Sequence, residues 1–400
     1  MLEIVINKDT QDNKTIVVVE NGKLVEKYSE IKGQERLEGN IYFGVVENIL
    51  VGMQAAFINI GKDKNTFIHI RDIIPKASNE TGNKNEQLDK HDIKKYIKSG
   101  MPIMVQVKRD NTNKKGARVS THINLSGRYV VVMPNSEFIT VSKKIENQNE
   151  KDRLINIAKQ ELPNGYGVII RTSAEGKSDD VIKKDIQKLL KQWEDILNDF
   201  NSEKQKSILT PKLIYKNEGV VERLITDLID QELVKITTNS TSDYEDIKNI
   251  LQEVENGQNI KLELKDENFL EMYDLQSQIE KTENRKIWLK CGGFITIDKT
   301  EALTAIDVNS GKYIGNKNLE KTVFTVNQEA TVEIAKQIRI RDIGGIIIID
   351  YIDMENNENK QKIIELLEEN LKKDRSKTQI VGFTPLHLLE MTRKHMWSND

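Results

Sequence analysis

A single cysteine, Cys291, in 400 residues excludes an intrachain disulfide and an all-cysteine zinc site built by one chain. A reducing, cytoplasmic setting is the expectation that follows. Only 6 residues are proline, so neither a proline-rich linker nor a collagen-like repeat is present. No apolar run is long enough to span a bilayer. Met1–Asn7 is a β-like run with an acid in it and lacks the basic region and apolar core of a signal peptide, so no membrane association is expected. Neither sign of charge dominates: 60 Lys and Arg stand against 63 Asp and Glu, a net charge of −3. That balance argues against a histone-like binder but leaves room for a local basic patch. The histidines His69, His91, His122, His387 and His395 form no metal-spaced pair, and no serine–histidine arrangement suggests a triad. Gly344-Gly345 is not followed by the Lys-Ser/Thr pair of a phosphate loop.

What is there reads as several α/β and β blocks, roughly two to four domains by length. Residues 1–35 predict a hairpin turning at Asn21-Gly22. Residues 36–125 predict a five-stranded barrel, with strands at Ile41–Val46, Ala55–Ile60, Thr66–Ile70 and Pro102–Val107 and a mobile polar insertion at 76–92. Residues 126–214 predict an α/β unit whose clearest helix starts after Ser178, a plausible N-cap, and repeats Ile182, Ile186, Leu189, Trp193, Ile196 and Phe200 at spacings of three and four. Residues 215–280 alternate helix and strand. Residues 281–400 predict a layered α/β block with strands at 286–298, 302–308, 345–351 and 378–382 and helices near 318–339 and 357–373.

Two strand patterns in the last block end in carboxylates: Glu301–Gly311 (EALTAIDVNSG) and Gly344–Asp353 (GGIIIIDYID). The four isoleucines mark a buried strand, so Asp350 belongs at its exposed end. Alternation along a strand places Asp307 and Asn309 on one face. If the two strands are neighbours, Asp307, Asn309 and Asp350 form an oxygen-only cluster suited to Mg2+ or Mn2+; the simpler reading is strand-end residues that cap turns. Asp353 reads equally as a further ligand or as the N-cap of the helix at 357–373. A second constellation, Lys108–Arg118, carries Lys108, Arg109, Lys114, Lys115 and Arg118 on a hairpin loop of the barrel. With Phe57 and Phe67 on barrel strands it suggests a platform for single-stranded nucleic acid; otherwise these are a solvated turn and core phenylalanines. A third, Ile169–Lys177, places Arg171 and Thr172 between a strand and a helix. It reads as an anion pocket or, more simply, a surface loop.

These motifs, with Asn40-Ile41-Tyr42, Ala55-Ala56-Phe57, Gly127–Pro134 (GRYVVVMP), Arg171-Thr172 and Leu388–Arg393 (LLEMTR), resemble the signatures of the bacterial ribonuclease E/G family along nearly the whole chain. The resemblance implies an α+β multidomain fold: an RNase-H-like subdomain split between 1–35 and 215–280, an OB-fold RNA-binding domain at 36–125, a 5′-sensor region at 126–214 and a DNase-I-like catalytic domain at 281–400. It implies a magnesium-dependent endoribonuclease cutting single-stranded, A/U-rich RNA, favouring 5′-monophosphorylated ends, in rRNA processing and mRNA decay. Asp307 and Asp350 would hold the metal, and Asn309 would orient Asp307 or the scissile phosphate. Arg171 and Thr172 would grip the 5′-phosphate, with Gly127 and Val131 lining the pocket. Phe57, Phe67 and Lys115 would contact RNA, joined by Lys108 and Arg118 of the basic loop. The Cys-Pro-x-Cys pair through which the family shares zinc between chains is not found, so no zinc is expected; a homodimer or homotetramer would form without that bridge.

Overall fold

The computed structural model describes residues 1–33, 36–73, 92–110, 116–229, 232–254, 256–265, 274–311 and 319–396. The chain divides into two compact units, one of Arg36–Glu218 and one of Met1–Glu35 with Gly219–Asp400. The N-terminal strands β1 (Leu2–Lys8), β2 (Lys14–Glu20) and β3 (Lys23–Glu30) are antiparallel neighbours. Asn21 and Gly22 have φ of 49° and 77°, the paired positive values of the turn that an Asn-Gly dipeptide favours.

In the unit 36–218, β4 (Ile41–Leu50), β5 (Ala55–Asn59), β6 (Thr66–His69), β7 (Pro102–Arg109) and β8 (Arg118–Ser120) close a barrel in the order β4-β5-β6-β8-β7 and back to β4, an OB-like arrangement. Val46, Ala56, Ile58, Ile68, Val105, Val107 and Val119 fill its interior. Gly44 lets the wall close: a Cβ there would lie 2.7 Å from the Ile58 side chain. The hairpin-loop reading of the basic run needs correction, because Lys108 and Arg109 end β7 and Arg118 begins β8. Lys114 and Lys115 lie outside the described residues, as does the insertion at 76–92 except Asp92.

Beyond the barrel, β9 (Leu125–Ser126), β10 (Val130–Pro134), β11 (Ile139–Val141) and β12 (Tyr166–Ile170) form a sheet in the order β11-β12-β10-β9. The helices Gln148–Glu161 and Asp179–Lys204 pack on it through Leu154, Ile157, Ile182, Ile186, Leu189 and Trp193. Ser178 occupies the N-cap position of the longer helix, but its side chain makes no capping bond. The acids Asp179 and Asp180 in the first turn favour that end through the helix dipole instead. β13 (Lys212–Tyr215) joins the edge of β4.

In the other unit, β14 (Leu233–Thr238) and β15 (Lys261–Leu264) extend the N-terminal sheet as β15-β14-β1-β2-β3. A second sheet runs β16 (Lys286–Trp288), β17 (Phe294–Lys299), β18 (Leu303–Asn309), β19 (Gly345–Asp350), β21 (Leu388–Arg393), β20 (Thr378–Phe383). The helices Leu319–Ile340 and Asn357–Leu371 cover one face, where Val326, Ala330, Ile334, Ile363 and Leu367 meet Ile295, Ile306, Val308, Ile347 and Ile349. The single strand expected at 286–298 is a hairpin, broken where Gly292 adopts φ of 96°. β21 was not expected at all. Its sequence LLEMTR is rich in helix formers, yet it pairs with both β19 and β20, buries Leu389 and Met391, and seats Arg393, 3% exposed, in a buried site. There it donates to Asp374 at 2.6 Å and to Asp342 at 2.7 Å. Among the described residues no helix is long and apolar enough to cross a membrane.

Candidate active site and nucleic-acid interface

The two carboxylate-bearing strands, β18 and β19, are parallel neighbours, and Asp307 lies directly opposite Asp350. Alternation sorts their side chains. Thr304, Ile306 and Val308 are buried toward the helices, and so are Ile347 and Ile349. Asp307, Asn309 and Asp350 therefore share the opposite face. Asn309 Nδ2 donates to Asp307 Oδ2 at 2.5 Å. Partial burial, and then the Asp350 carboxylate beside it, pushes the Asp307 carboxyl above the usual range, against the Asn309 bond and the more distant Arg285. Two acids facing each other on adjacent strands, one with its carboxyl pushed above the usual range, are a cation-seeking arrangement. Among the described residues no group of three or more His, Cys, Asp or Glu side chains could hold a metal. A set of two carboxylates and an amide oxygen fits a hard ion that keeps several of its waters, such as magnesium.

The chain leaving β19 is fixed by a residue that reading the sequence missed. Asn327, fully buried on the helix Leu319–Ile340, donates to the Ile352 carbonyl at 2.8 Å and accepts from its N–H at 3.2 Å. A polar residue on the apolar face of a long helix was the available signal. Asp353 does not cap the following helix: Asn356 does, accepting from the Glu358 N–H at 2.8 Å. The Asp353 carboxylate instead sits 3.1 Å from His387 Nδ1.

On the barrel, Phe57 pairs directly with Phe67, and Phe67 with Arg118. The flanking Ala56, Ile58, Thr66 and Ile68 point inward and are buried, so both phenylalanines face outward and are only partly covered. Their rings meet edge to face at 6.3 Å. Arg118 is held by a two-pronged contact with Asp72, at 3.0 and 2.8 Å. Lys108 donates to Gln106 at 2.6 Å.

In the 126–214 sheet, Arg171 follows β12 and donates through Nη1 to the Gly127 carbonyl at 2.9 Å. Thr172 and Ser142 share a hydroxyl contact of 2.8 Å. Val131 pairs with Ile169, one alternation from Arg171. Arg171, Thr172, Gly127 and Val131 thus occupy one end of this sheet. Asp185, unremarked in the sequence, shapes the turn: its carboxylate accepts from the N–H groups of Arg128, Tyr129 and Val130 at 3.3, 2.8 and 3.1 Å. Burial pushes that carboxyl up against the pull of the three amides. A Cβ at Gly127 would meet the same carboxylate at 2.6 Å, so the close approach requires glycine. The clue was an acid among the apolar positions Ile182, Ile186 and Leu189 of the helix.

Known proteins share these elements. A family model described as "Ribonuclease E/G family" matches residues 124–396. The chain is 37% identical over 394 residues to Ribonuclease G of Salmonella typhimurium (strain SL1344), covering 98% of this chain and 79% of that protein. It is 36% identical to Ribonuclease G of Escherichia coli (strain K12) over the same shares. To Ribonuclease E of Nostoc sp. (strain PCC 7120) it is 34% identical, over 96% of this chain and 56% of that longer protein. The match runs through the paired carboxylate strands and the Arg171 turn alike, and the chain belongs to the ribonuclease E/G family.

Proposed function

We propose that the protein is a magnesium-dependent endoribonuclease. It would cleave single-stranded, A/U-rich RNA, favour 5′-monophosphorylated ends, and act in RNA processing, including that of rRNA, and in mRNA decay. The observation that carries the reading is the facing pair Asp307 and Asp350, with Asn309 on the same face. Membership in a family whose curated members are named ribonucleases supports the substrate class. Under this reading the barrel is the RNA platform, the 126–214 block the 5′ sensor, the N-terminal sheet with 215–280 the RNase-H-like part and 281–400 the DNase-I-like catalytic part.

Asp307 and Asp350 would hold the ion; the chemistry it supplies when bound is acidification of water and neutralisation of charge on the phosphoryl oxygens. The chain's own residues do the rest. Asn309 fixes the Asp307 rotamer through the bond to Oδ2. Asn327 clamps Ile352 and so holds the chain end beyond Asp350. Phe57 and Phe67 offer outward ring faces on which bases stack without regard to sequence, and Arg118 supplies a cation beside them. Products with a 5′-phosphate and a 3′-hydroxyl are what the family resemblance implies.

The test is cleavage of a short, fluorescent, 5′-monophosphorylated oligoribonucleotide with magnesium or with chelator. Cutting that chelator stops supports the reading. RNA that binds tightly but is never cut under any divalent ion would make the protein an RNA-binding factor. Absence of RNA retention on a filter at low salt would favour a small-molecule phosphoesterase. For the sensor, Arg171→Ala should erase most of the preference for a 5′-monophosphate over a 5′-hydroxyl, about 10-fold or more, since a charge-assisted hydrogen bond contributes roughly 1.5–3 kcal/mol. Cleavage of the 5′-hydroxyl substrate should not change. Equal losses on both substrates would remove Arg171 from end recognition.

A further inference from the structure

The sheet face that carries Asp307 has a second feature, three strands from Asp350. Lys286 on the edge strand β16 pairs with Thr296, and Thr296 with Asp307; in the next row Trp288 pairs with Phe294, and Phe294 with Asn309. Cross-strand partners point to one face, so Trp288, Phe294 and Lys286 stand on the same face as the candidate catalytic residues. Trp288 is 58% exposed, while Phe294 is half-buried beside it. The two rings meet edge to face at 5.3 Å and 63°. The Lys286 ammonium lies 4.2 Å from the Trp288 ring centroid and 3.6 Å from that of Phe294. Two strand spacings put the Trp288 strand roughly 10 Å from the strand of Asn309.

We infer that Trp288, braced by Phe294 and flanked by Lys286, is a stacking subsite for the base of a nucleotide next to the scissile phosphate of single-stranded RNA. This rests on the nuclease reading above. Among the described residues the Trp288 ring stays 58% exposed, and a rigid, half-open aromatic corner is what a base can stack on at small entropic cost. Phosphates arriving at Asp307 and Asp350 meet two carboxylates, and a fixed ammonium on the same face offsets that repulsion. The combination of ring face and cation matches a nucleotide, which carries a π-face and an anion together. Such a site grips any base and therefore adds affinity without adding sequence readout. The Phe57–Phe67 pair belongs to a different sheet.

The experiment uses the full chain with the Asp307→Asn substitution for binding and with Asp307 intact for cleavage. The probes are short 5′-monophosphorylated oligoribonucleotides, each with one abasic residue stepped along the strand. Trp288→Ala should weaken binding about 5- to 100-fold and raise KM with little change in kcat. One abasic position beside the cleavage site should cost the protein with Trp288 a similar factor and cost the Trp288→Ala protein nothing. Trp288→Phe should keep most of the affinity, which a folding defect would not allow. Lys286→Ala should lower the salt slope of binding by about 1. If Trp288→Ala binds and cuts like the parent, the subsite is wrong and the nuclease reading survives. If the parent never cuts yet the Trp288 and abasic effects still coincide, the subsite stands and the nuclease reading falls. A Trp288→Ala change in sedimentation with unaltered RNA affinity overturns the inference and makes the shelf a contact between copies.

Discussion

Asp307→Asn should lower the cleavage rate by about 1,000-fold or more while leaving RNA affinity within a factor of about three. Charge stabilisation by a bound divalent ion is worth several kcal/mol in the transition state, and each 1.36 kcal/mol is tenfold in rate. Asparagine keeps the shape and can keep the Asn309 contact, but removes one of the two charges that face each other across β18 and β19. Single-turnover cleavage in magnesium, paired with filter binding, measures both numbers. A rate loss below tenfold would mean that Asp307 does not hold the ion. The same substitution carries a second expectation of opposite sign. The folded-state pKa of Asp307 is raised, by burial first and then by Asp350. Its ionisation in the fold is therefore unfavourable: stability is fully present below the unfolded-state value of about 4 and declines as pH rises through the raised folded value. Without metal at neutral pH, Asp307→Asn should melt slightly higher than the parent. The gain is under about 1 kcal/mol because the group is only partly buried and solvent screens it, and it should vanish below roughly pH 4. A residue that lowers stability where it sits is expected at a site built for a ligand.

That pair of strands was legible in the sequence because each signal was local. Four consecutive isoleucines ending in Asp350 specify a strand with an exposed end, although only Ile347 and Ile349 are buried and Ile346 is 50% exposed, and the alternation Asp307–Val308–Asn309 specifies the face. Their adjacency was a supposition, since parallel pairing across the intervening helix is a long-range property. The barrel was legible for the same reason, from spaced β-rich runs and turns, although the short β8 escaped notice. What the residues alone did not reveal depends on buried polar contacts. β21 is held by Arg393 between Asp374 and Asp342, and nothing in LLEMTR announces that. Asp185 and Asn327 look like ordinary polar breaks in a helix pattern until the backbone groups they serve are placed beside them. The outward direction of Phe57 and Phe67 likewise required the barrel to close, because either parity suits a strand.

Glu26→Ala should destabilise the unit that contains β18 and β19 by about 3–5 kcal/mol, a large part of the roughly 5–15 kcal/mol that holds a domain together. Glu26, on β3 and 2% exposed, receives Arg339 from the helix Leu319–Ile340 at 2.9 and 3.0 Å. It also receives Arg375 at 2.5 and 3.2 Å and the Tyr28 hydroxyl at 2.8 Å. Arg375 reaches on to Asp227 at 3.0 Å. One carboxylate thus ties the N-terminal sheet to the helix that crosses between β18 and β19. Removing it leaves two guanidinium groups out of water with their main counter-charge gone, which costs more than the pair was worth. Burial alone would raise the Glu26 pKa; the Arg375 and Arg339 charges outweigh it and bring the carboxyl to about 2. The sign is that of a depressed acid: its stabilisation is complete above the unfolded value near 4.5 and is lost as pH falls toward 2. A shift of that size corresponds to about 3 kcal/mol, consistent with the mutational figure. Urea unfolding followed by circular dichroism at pH 7 and at pH 2 should show the Glu26→Ala penalty large at the first and mostly gone at the second. Glu283→Ala, which removes an exposed partner of Lys27, is the control and should cost less than about 1 kcal/mol at either pH. Because β3 and the crossing helix share this anchor, Glu26→Ala should also weaken cleavage under conditions where the protein is partly unfolded, and recover full activity on cooling. A penalty no larger than that of Glu283→Ala would show that Arg339 and Arg375 find other partners, and that the two sheets are held together by their apolar contacts alone.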